Sequence, residues 1–343
     1  MRSTLGAIAL FALTLPALAD EPTLKVGVTI FADATVQTSP EIKDADGNTI
    51  NMSAFNVSRA YLNVTGSLNK RISFRITPDV AREAGSGSSL AGSQNFRLKY
   101  AFAQLALDEW TTKGSWLRFG TQQTPYLDYS EAIYRYRFQG TSFAEREGYI
   151  TSSDNGLSAR YVLPGDYGDV HAGFYNGDGY SKAEVNDQKS FQLRASVRPL
   201  PKSPLFKGLR ATLFYDGDSY VQSAKRERVI AQASFEHKFV SAGVETIATK
   251  DRTSVSKPEL DGNGWSAWAT PKFGHGWELL LRHDDNRPDD NTNTHRRRDI
   301  AGVAYWLPEL QKVATAVMVD YDSLSVTGKA RDTRYGLKLL VSF

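Results

Sequence analysis

The sequence contains no cysteine among its 343 residues, only five histidines, and a nearly balanced formal charge of +3. Without cysteine there is no disulfide framework, no thiolate zinc site and no cysteine nucleophile. The histidines lack the H-x-x-H and H-E-x-x-H spacings of metal sites. No Ser-His-Asp set or cofactor fingerprint stands out either, so we expect no catalytic residue, no metal and no cofactor. The charge balance also argues against nucleic acid as a partner, because such proteins carry a basic face or tail.

Long apolar runs are missing as well, apart from one at the N-terminus. The mean hydropathy of −0.39 excludes a bundle of membrane-spanning helices. It does not exclude a membrane protein built of strands, in which only alternate residues must be apolar.

The N-terminal run MRSTLGAIALFALTLPALA has the features of a secretory signal peptide. Arg2 precedes an apolar segment from Leu5 to Leu15, and Ala17 and Ala19 supply the small residues of a cleavage site. We expect residues 1–19 to be removed after Ala19 and residues 20–343 to form one exported domain.

Alternation of polar and apolar residues dominates the rest of the chain. In RISFRIT (71–77) and YGLKLLVSF (335–343), every second residue is apolar, and such patterns predict about sixteen strands with no convincing helical stripe between them. Short and long connections alternate, as in meanders whose two rims face different compartments. We therefore predict an all-β fold, a transmembrane antiparallel up-and-down β-barrel. A soluble β-sandwich, propeller or β-helix is the alternative, but the sequence has neither the linkers of a divided sandwich nor the blade repeat of a propeller.

The last strand ends the chain on Phe343, with alternate apolar positions back to Tyr335. It must pair with the first strand to close the barrel and hide both edges. The pattern resembles the terminal signature read by the barrel-assembly machinery of the outer membrane, which that resemblance makes an expected partner through Phe343.

Several phrases resemble the phosphate-selective porin O and P family. They include FNVSRAYLNVTGSLNKRISFRITPDV (55–80), WLRFGTQQTPYLDYSEA (116–132), FYNGDGYSK (174–182) and SFQLRASVRPLP (190–201). The resemblance is strongest over 116–201 and weakest over 217–297. It implies a sixteen-stranded barrel in the outer membrane, surrounded by lipid and lipopolysaccharide, that forms a homotrimer and passes anions or small solutes.

Inward-facing basic residues are predicted from the polar face of each strand, because that face lines the lumen. They crowd into the second to ninth strands, whereas inward acids predominate later. A basic wall of this kind would attract anions. The candidates for contact with permeating anions are Arg59, Arg71, Arg75, Arg118, Arg160, Arg194 and Arg210. The directions of Arg97 and Lys99 stay open, since their strand is apolar on both faces.

The longest connection, 123–153, follows the fifth strand, and we expect it to fold into the barrel and narrow the channel. Its candidate constriction residues are Tyr134, Arg135, Tyr136, Arg137 and Arg146. Acidic residues in the same connection argue against a purely anionic filter.

The expected function is passive diffusion of small solutes through a water-filled channel that prefers anions, with phosphate among the candidates. A weakly selective general diffusion porin is one alternative. An outer-membrane enzyme, or a receptor barrel that does not conduct, is another.

Overall fold

Sixteen antiparallel strands form where the sequence alternates in polarity. The structure, a computed structural model, describes residues 21–83, 87, 89–308 and 313–343, so the predicted signal peptide lies outside the described residues. The strands are β1 (Thr23–Lys43), β2 (Thr49–Ser67), β3 (Ile72–Arg82), β4 (Gln94–Ala106), β5 (Trp116–Gln123), β6 (Ser153–Leu163), β7 (Gly168–Tyr175), β8 (Ser190–Val197), β9 (Leu209–Val221), β10 (Ala224–Glu236), β11 (Val240–Asp251), β12 (Leu260–Gly274), β13 (Trp277–Arg287), β14 (Arg296–Trp306), β15 (Ala314–Val326) and β16 (Asp332–Ser342).

Each strand pairs with its neighbours in sequence, and β1 pairs with β16, so the sheet is a closed barrel. The closing register joins Thr29 to Ser342 and Ala32 to Leu339. Phe343 exchanges backbone hydrogen bonds with Val28, at 3.0 and 3.1 Å. Both strand edges are therefore paired, which confirms the predicted sixteen-stranded, all-β barrel.

Burial is reversed relative to a water-soluble sheet. Along β9 and β11 the apolar residues Leu213 and Val244 are exposed, whereas their polar neighbours Thr212 and Glu245 are buried. Apolar side chains thus face outward and polar ones inward, as in a barrel with a lipid-facing surface.

Two predicted long connections are mostly strand. The stretches 37–53 and 218–226 continue β1, β2, β9 and β10, leaving turns of residues 44–48 and 222–223. Their polar composition suggested loops, but backbone pairing does not require apolar side chains once a strand extends beyond the membrane.

The connection between β5 and β6 contains two short helices, α1 (Leu127–Tyr134) and α2 (Phe143–Arg146). The sequence did not predict them, because helices this short depend on tertiary contacts rather than on a helical stripe. A 3-10 turn, Pro164–Asp166, links β6 and β7. No helix in the described part of the chain is long and apolar enough to cross a membrane.

The pairing of β1 with the chain end at Phe343 predicts the effect of a substitution at Gly27. A Cβ atom built there lies 2.5 Å from the carbonyl oxygen of Phe343, closer than packing permits. We expect Gly27→Val to lower the yield of folded barrel, measured by the mobility of unheated protein in a denaturing gel. Ala34→Val on the outward face of β1 is the control, and it should fold normally. Equal yields for both variants would show that the close approach of Gly27 to Phe343 is not needed for folding.

Candidate functional site

Residues 124–152, here called the docked segment, pack against an apolar patch on the inner side of β12–β16. Leu280, Ile300 and Met318 are inward-facing and almost fully buried there. Tyr136 and Phe138 of the segment belong to the same cluster, with ring centroids 5.6 Å apart. The inner wall is therefore partly hydrophobic, and the segment covers that part.

A second apolar cluster fixes the two helices of the segment. Leu127 of α1 and Phe143 of α2 are 0% and 1% exposed, and they cluster with Phe214, Ile230 and Ile247 of β9–β11. Burying such side chains stabilises the contact by about 1.5–3 kcal/mol each. The segment is thus held along β9–β16 by the same effect that stabilises a protein core.

Hydrogen bonds to inward acids complete the attachment. The Tyr136 hydroxyl donates to Glu278 at 2.9 Å, the Gln139 amide donates to Asp320 at 3.1 Å, and the Tyr126 hydroxyl donates to Glu245. All three acids are buried on the inward face of their strands, and their carboxylates point at the segment rather than at open water.

The predicted constriction residues take different places. Tyr134 and Tyr136 are 3% and 1% exposed and pack on the inner wall rather than facing open lumen. Arg135 lies over the ring of Trp306, 4.2 Å from its centroid, and 3.7 Å from Glu278. Arg146 donates to Gln139 at 3.1 Å and lies 3.8 Å from Asp322. Most of these groups hold the segment in place.

Arg137 joins the two helices of the segment. Its guanidinium lies 2.7 Å from Glu131 and 3.0 Å from Glu145. Burial raises the pKa of the Glu131 carboxyl to about 7, opposed by Arg137 and Lys99 and reinforced by Glu145. A raised carboxyl pKa means that ionising Glu131 opposes docking.

Most of the predicted anion-contacting arginines are paired with carboxylates. Arg59 lies 3.0 Å from Asp79, and Arg160 lies 2.8 Å from Asp169. The remaining pairs are Arg194 with Asp169, Arg210 with Glu236, and Arg71 with Glu109 at the short-turn rim. Arg97 lies 3.6 Å from Asp79, and Lys99 donates to the Tyr61 hydroxyl at 3.2 Å, so both point inward.

Arg75 and Arg118 differ, because their hydrogen-bond partners are uncharged. Arg75 donates to Asn63 at 2.7 Å and lies over the Tyr100 ring. Arg118 donates to Gln104 at 2.8 Å and to Gln123 at 3.0 Å, with the rings of Phe102 and Trp116 stacked on it. Amides and rings fix the orientation of these guanidiniums without cancelling their charge.

Both arginines line a cavity of about 380 Å³, here called the basic cavity, near the short-turn end of β1–β5. Lys25 lines it as well, and no aspartate or glutamate is among the described residues around it. The adjoining cavity, about 200 Å³, shares Arg118 and Gln123 and extends to Asp128 and Arg160. Open lumen thus lies beside β1–β5 and continues to β6–β8, where Thr124, Pro125 and Tyr129 of the docked segment form part of its wall.

A cavity of about 470 Å³ near the long-connection end has mixed charge. Arg82, Arg146, Arg298, Arg334 and Lys338 line it together with Asp33, Asp320 and Asp322. The two cavities thus differ in charge, because this one is lined by both signs and the basic cavity by positive charge alone.

The inner apolar wall is the functional feature that the sequence prediction missed. Assigning the polar face of each strand to the lumen overlooked Leu280, between Leu279 and Leu281, and Met318, between Val317 and Val319. Three consecutive apolar residues in a strand indicate that both faces are buried, and this signal was present in the sequence.

The apolar attachment predicts a difference between two adjacent leucines. Leu280→Ala removes a buried contact beneath the segment and should weaken docking by about 2–5 kcal/mol. We expect faster proteolysis within 124–152 and noisier channel currents. Leu281→Ala, on the lipid side of the same strand, is the matched control. If both variants behave like the parent, the segment is held by other contacts.

The Glu131 carboxyl predicts a pH dependence. Because its pKa is raised in the docked state, its contribution to docking is present below the ordinary carboxyl pKa and lost as the pH rises through about 7. Hydrogen exchange of amides 127–146, corrected for intrinsic rates, should be faster at pH 8 than at pH 5. Glu131→Gln should reduce this difference, whereas Glu109→Gln on an exposed turn should leave it unchanged. A pH dependence as large in Glu131→Gln as in the parent would contradict the assignment.

Comparisons with known proteins agree with this architecture. A family profile described as phosphate-selective porin O and P matches residues 32–222, more than half of the chain. No curated protein sequence in the comparison matches the chain.

Solved structures share the fold at low sequence identity. An anion-selective porin from Comamonas acidovorans has a TM-score of 0.65 at 12% identity, covering 94% of this chain and 100% of that one. The outer membrane channel DcaP of Acinetobacter baumannii has a TM-score of 0.59 at 13% identity, covering 94% and 97%. OmpT of Vibrio cholerae, in its trimer form, has a TM-score of 0.59 at 12% identity, covering 94% and 100%.

Family and fold are those of a channel rather than of an enzyme. With its closed sixteen-stranded barrel and the profile match over residues 32–222, the chain belongs to the phosphate-selective porin O and P family of outer-membrane porins.

Proposed function

We propose that this porin is a passive diffusion channel with a preference for small anions, including phosphate. The observation that carries the proposal is the basic cavity, where Lys25, Arg75 and Arg118 surround open lumen without a carboxylate among the described lining residues. No energy coupling or cofactor is part of this mechanism.

Electrostatic enrichment supplies the selectivity. Charges of one sign on a narrow lumen with low-dielectric walls raise the local concentration of counter-ions. Arginine suits this role because its planar fork binds carboxylate or phosphate oxygens and stays protonated. The uncharged partners of Arg75 and Arg118 leave that attraction available to a passing solute.

The docked segment supplies the size limit. It occupies the lumen along β9–β16 and is held by two apolar clusters. Solutes therefore pass through the basic cavity, which lies along β1–β5.

The mixed-charge cavity favours moderate rather than strict selectivity. Asp320 and Asp322 stand near Arg298 and Lys338 at the other end of the lumen. A transverse field of this kind orients dipolar solutes and admits both ion signs, which is how a weakly selective diffusion porin would behave.

We also propose that the chain is exported with cleavage after Ala19, inserted by the assembly machinery through the strand ending at Phe343, and assembled as a homotrimer in contact with lipopolysaccharide. The apolar outward faces and the trimer form of a similar structure support this.

The proposed selectivity predicts the reversal potential under a KCl gradient. The parent channel should be anion-selective. Arg118→Glu and Arg75→Glu should each replace about 1 kcal/mol of attraction for the anion by about 1 kcal/mol of repulsion in a water-filled site, which lowers the anion-to-cation permeability ratio by more than about tenfold.

Arg252→Glu is the matched control. It makes the same charge change outside the strands, where the Arg252 guanidinium donates to the backbone carbonyls of Val255 and Lys257 in its own loop, and selectivity should not change. A cation-selective parent channel, or equal effects of all three variants, would overturn the basic cavity as the selectivity site.

A further inference from the structure

Three neighbouring stretches at the short-turn end of the barrel contain lysine but no aspartate or glutamate. They are the connection between β8 and β9, the connection between β10 and β11, and the end of β12 with the turn that follows it, residues 198–208, 237–239 and 272–276. We call these stretches the basic rim. Its exposed lysines are Lys202, Lys207 and Lys238.

The basic rim is one continuous surface, because backbone hydrogen bonds join its parts. The N–H of Glu236 donates to the carbonyl oxygen of Gly208 at 3.2 Å, and the N–H of Lys272 donates to that of Phe239 at 2.8 Å. Lysines that lie on separate connections are therefore held side by side around β8–β13.

The exposed lysines of the rim keep their charge. The acid that borders the rim, Glu236, is paired with Arg210. Lys238 lies over the ring of Phe239, 4.7 Å from its centroid. No carboxylate among the described residues pairs with any of the three exposed lysines, so their ammonium groups are available to an anionic partner.

Exposed rings accompany these lysines. Phe239 is 61% exposed, Phe273 65% and Trp277 51%. In membrane barrels, aromatic rings stand at the two boundaries of the apolar layer. A lysine at this level lays its stem along apolar surface and keeps its ammonium group in the polar layer. The basic rim thus stands at the level of lipid headgroups.

The other short turns differ in charge. The connection 107–115 between β4 and β5 contains Asp108 and Glu109, and the 3-10 turn between β6 and β7 contains Asp166. The turn 68–71 is basic, but its Arg71 is paired with Glu109. In the described part of the chain, uncompensated lysine at this end is therefore concentrated on β8–β13.

We propose that the basic rim binds the headgroups of anionic phospholipids. Short turns of outer-membrane barrels face the periplasm, where the membrane leaflet consists of phospholipid rather than lipopolysaccharide. Clustered basic residues at a membrane surface attract anionic headgroups, whose phosphate oxygens accept hydrogen bonds from lysine. The acyl chains then contact the exposed rings of Phe239 and Phe273. This site lies outside the lumen and does not depend on the ion selectivity proposed above.

A chain without cysteine can carry a single fluorescent label at a chosen place. A label at Leu205→Cys lies on the basic rim, where Leu205 is 50% exposed, and a label at Trp110→Cys lies on the connection 107–115, where Trp110 is 52% exposed. Each folded protein is placed in vesicles of phosphatidylcholine with a minor fraction of phosphatidylglycerol. Bromine atoms, which quench the label, are carried by the same mole fraction of either lipid.

Brominated phosphatidylglycerol should quench the Leu205→Cys label more strongly than brominated phosphatidylcholine does. We expect a local enrichment of the anionic lipid of at least about fivefold, the effect of one lysine near an anionic surface. The enrichment should fall as salt is added, because mobile ions screen exposed charges. At Trp110→Cys the two brominated lipids should quench alike.

Removing the lysines tests the site directly. The combined variant Lys202→Gln, Lys207→Gln and Lys238→Gln should lose the enrichment at Leu205→Cys. A matched control makes the same charge change at three exposed lysines of the opposite rim, and it should keep the enrichment. Its substitutions are Lys225→Gln, Lys250→Gln and Lys329→Gln.

Equal quenching by the two lipids at Leu205→Cys would overturn the proposal. So would an enrichment that is as large at Trp110→Cys, that persists at high salt, or that survives in the triple variant. Weak quenching by both lipids at Leu205→Cys would place the rim away from the headgroups and would overturn it as well. Conductance plays no part in this readout, so failure of the proposed channel function would be seen separately.

Discussion

The contact between the docked segment and the apolar inner wall determines the rest of the site. A sixteen-stranded barrel has two surfaces, and polar residues are expected on the inner one. Here Leu280, Ile300 and Met318 interrupt that rule and are covered by Tyr136 and Phe138. Because apolar burial is non-directional and needs contiguous area, the segment can settle only where the inner wall is apolar. That choice fixes which side of the lumen stays open.

Charge follows the same division. On the covered side, inward acids such as Glu245 and Glu278 accept hydrogen bonds from tyrosines of the segment. On the open side, arginines fall into two groups. Arg59 and Arg194 are paired with carboxylates, whereas Arg75 and Arg118 are held by amides and aromatic rings. A chain of nearly neutral net charge thus contains a local region of uncompensated positive charge.

Much of the fold could be predicted from the sequence, because alternation is a direct consequence of a wall with one wet and one lipid-facing side. The strand count, the closing role of the strand ending at Phe343 and the family resemblance were all available. The inward direction of Arg118 also followed from the apolar neighbours Leu117 and Phe119.

Pairing and docking could not be predicted in the same way. Whether Arg194 meets Asp169 depends on the register between β7 and β8, which the sequence of either strand alone does not specify. The burial of Tyr134 and Tyr136 depends on the apolar inner patch of β12–β16, which lies far along the chain from them. The short lengths of β5, β7 and β8 could be recognised only from the strand ends in the structure.

The position of the open path is the central claim, and an anionic thiol reagent tests it most directly. Ser73 lines the basic cavity, while Ser266 is 1% exposed and lies between Gly264 and Trp268, which contact Phe143 and Tyr134 of the segment. A negatively charged methanethiosulfonate added to conducting channels should reduce the current through Ser73→Cys and leave Ser266→Cys unchanged. Block of Ser266→Cys with no effect on Ser73→Cys would contradict the account.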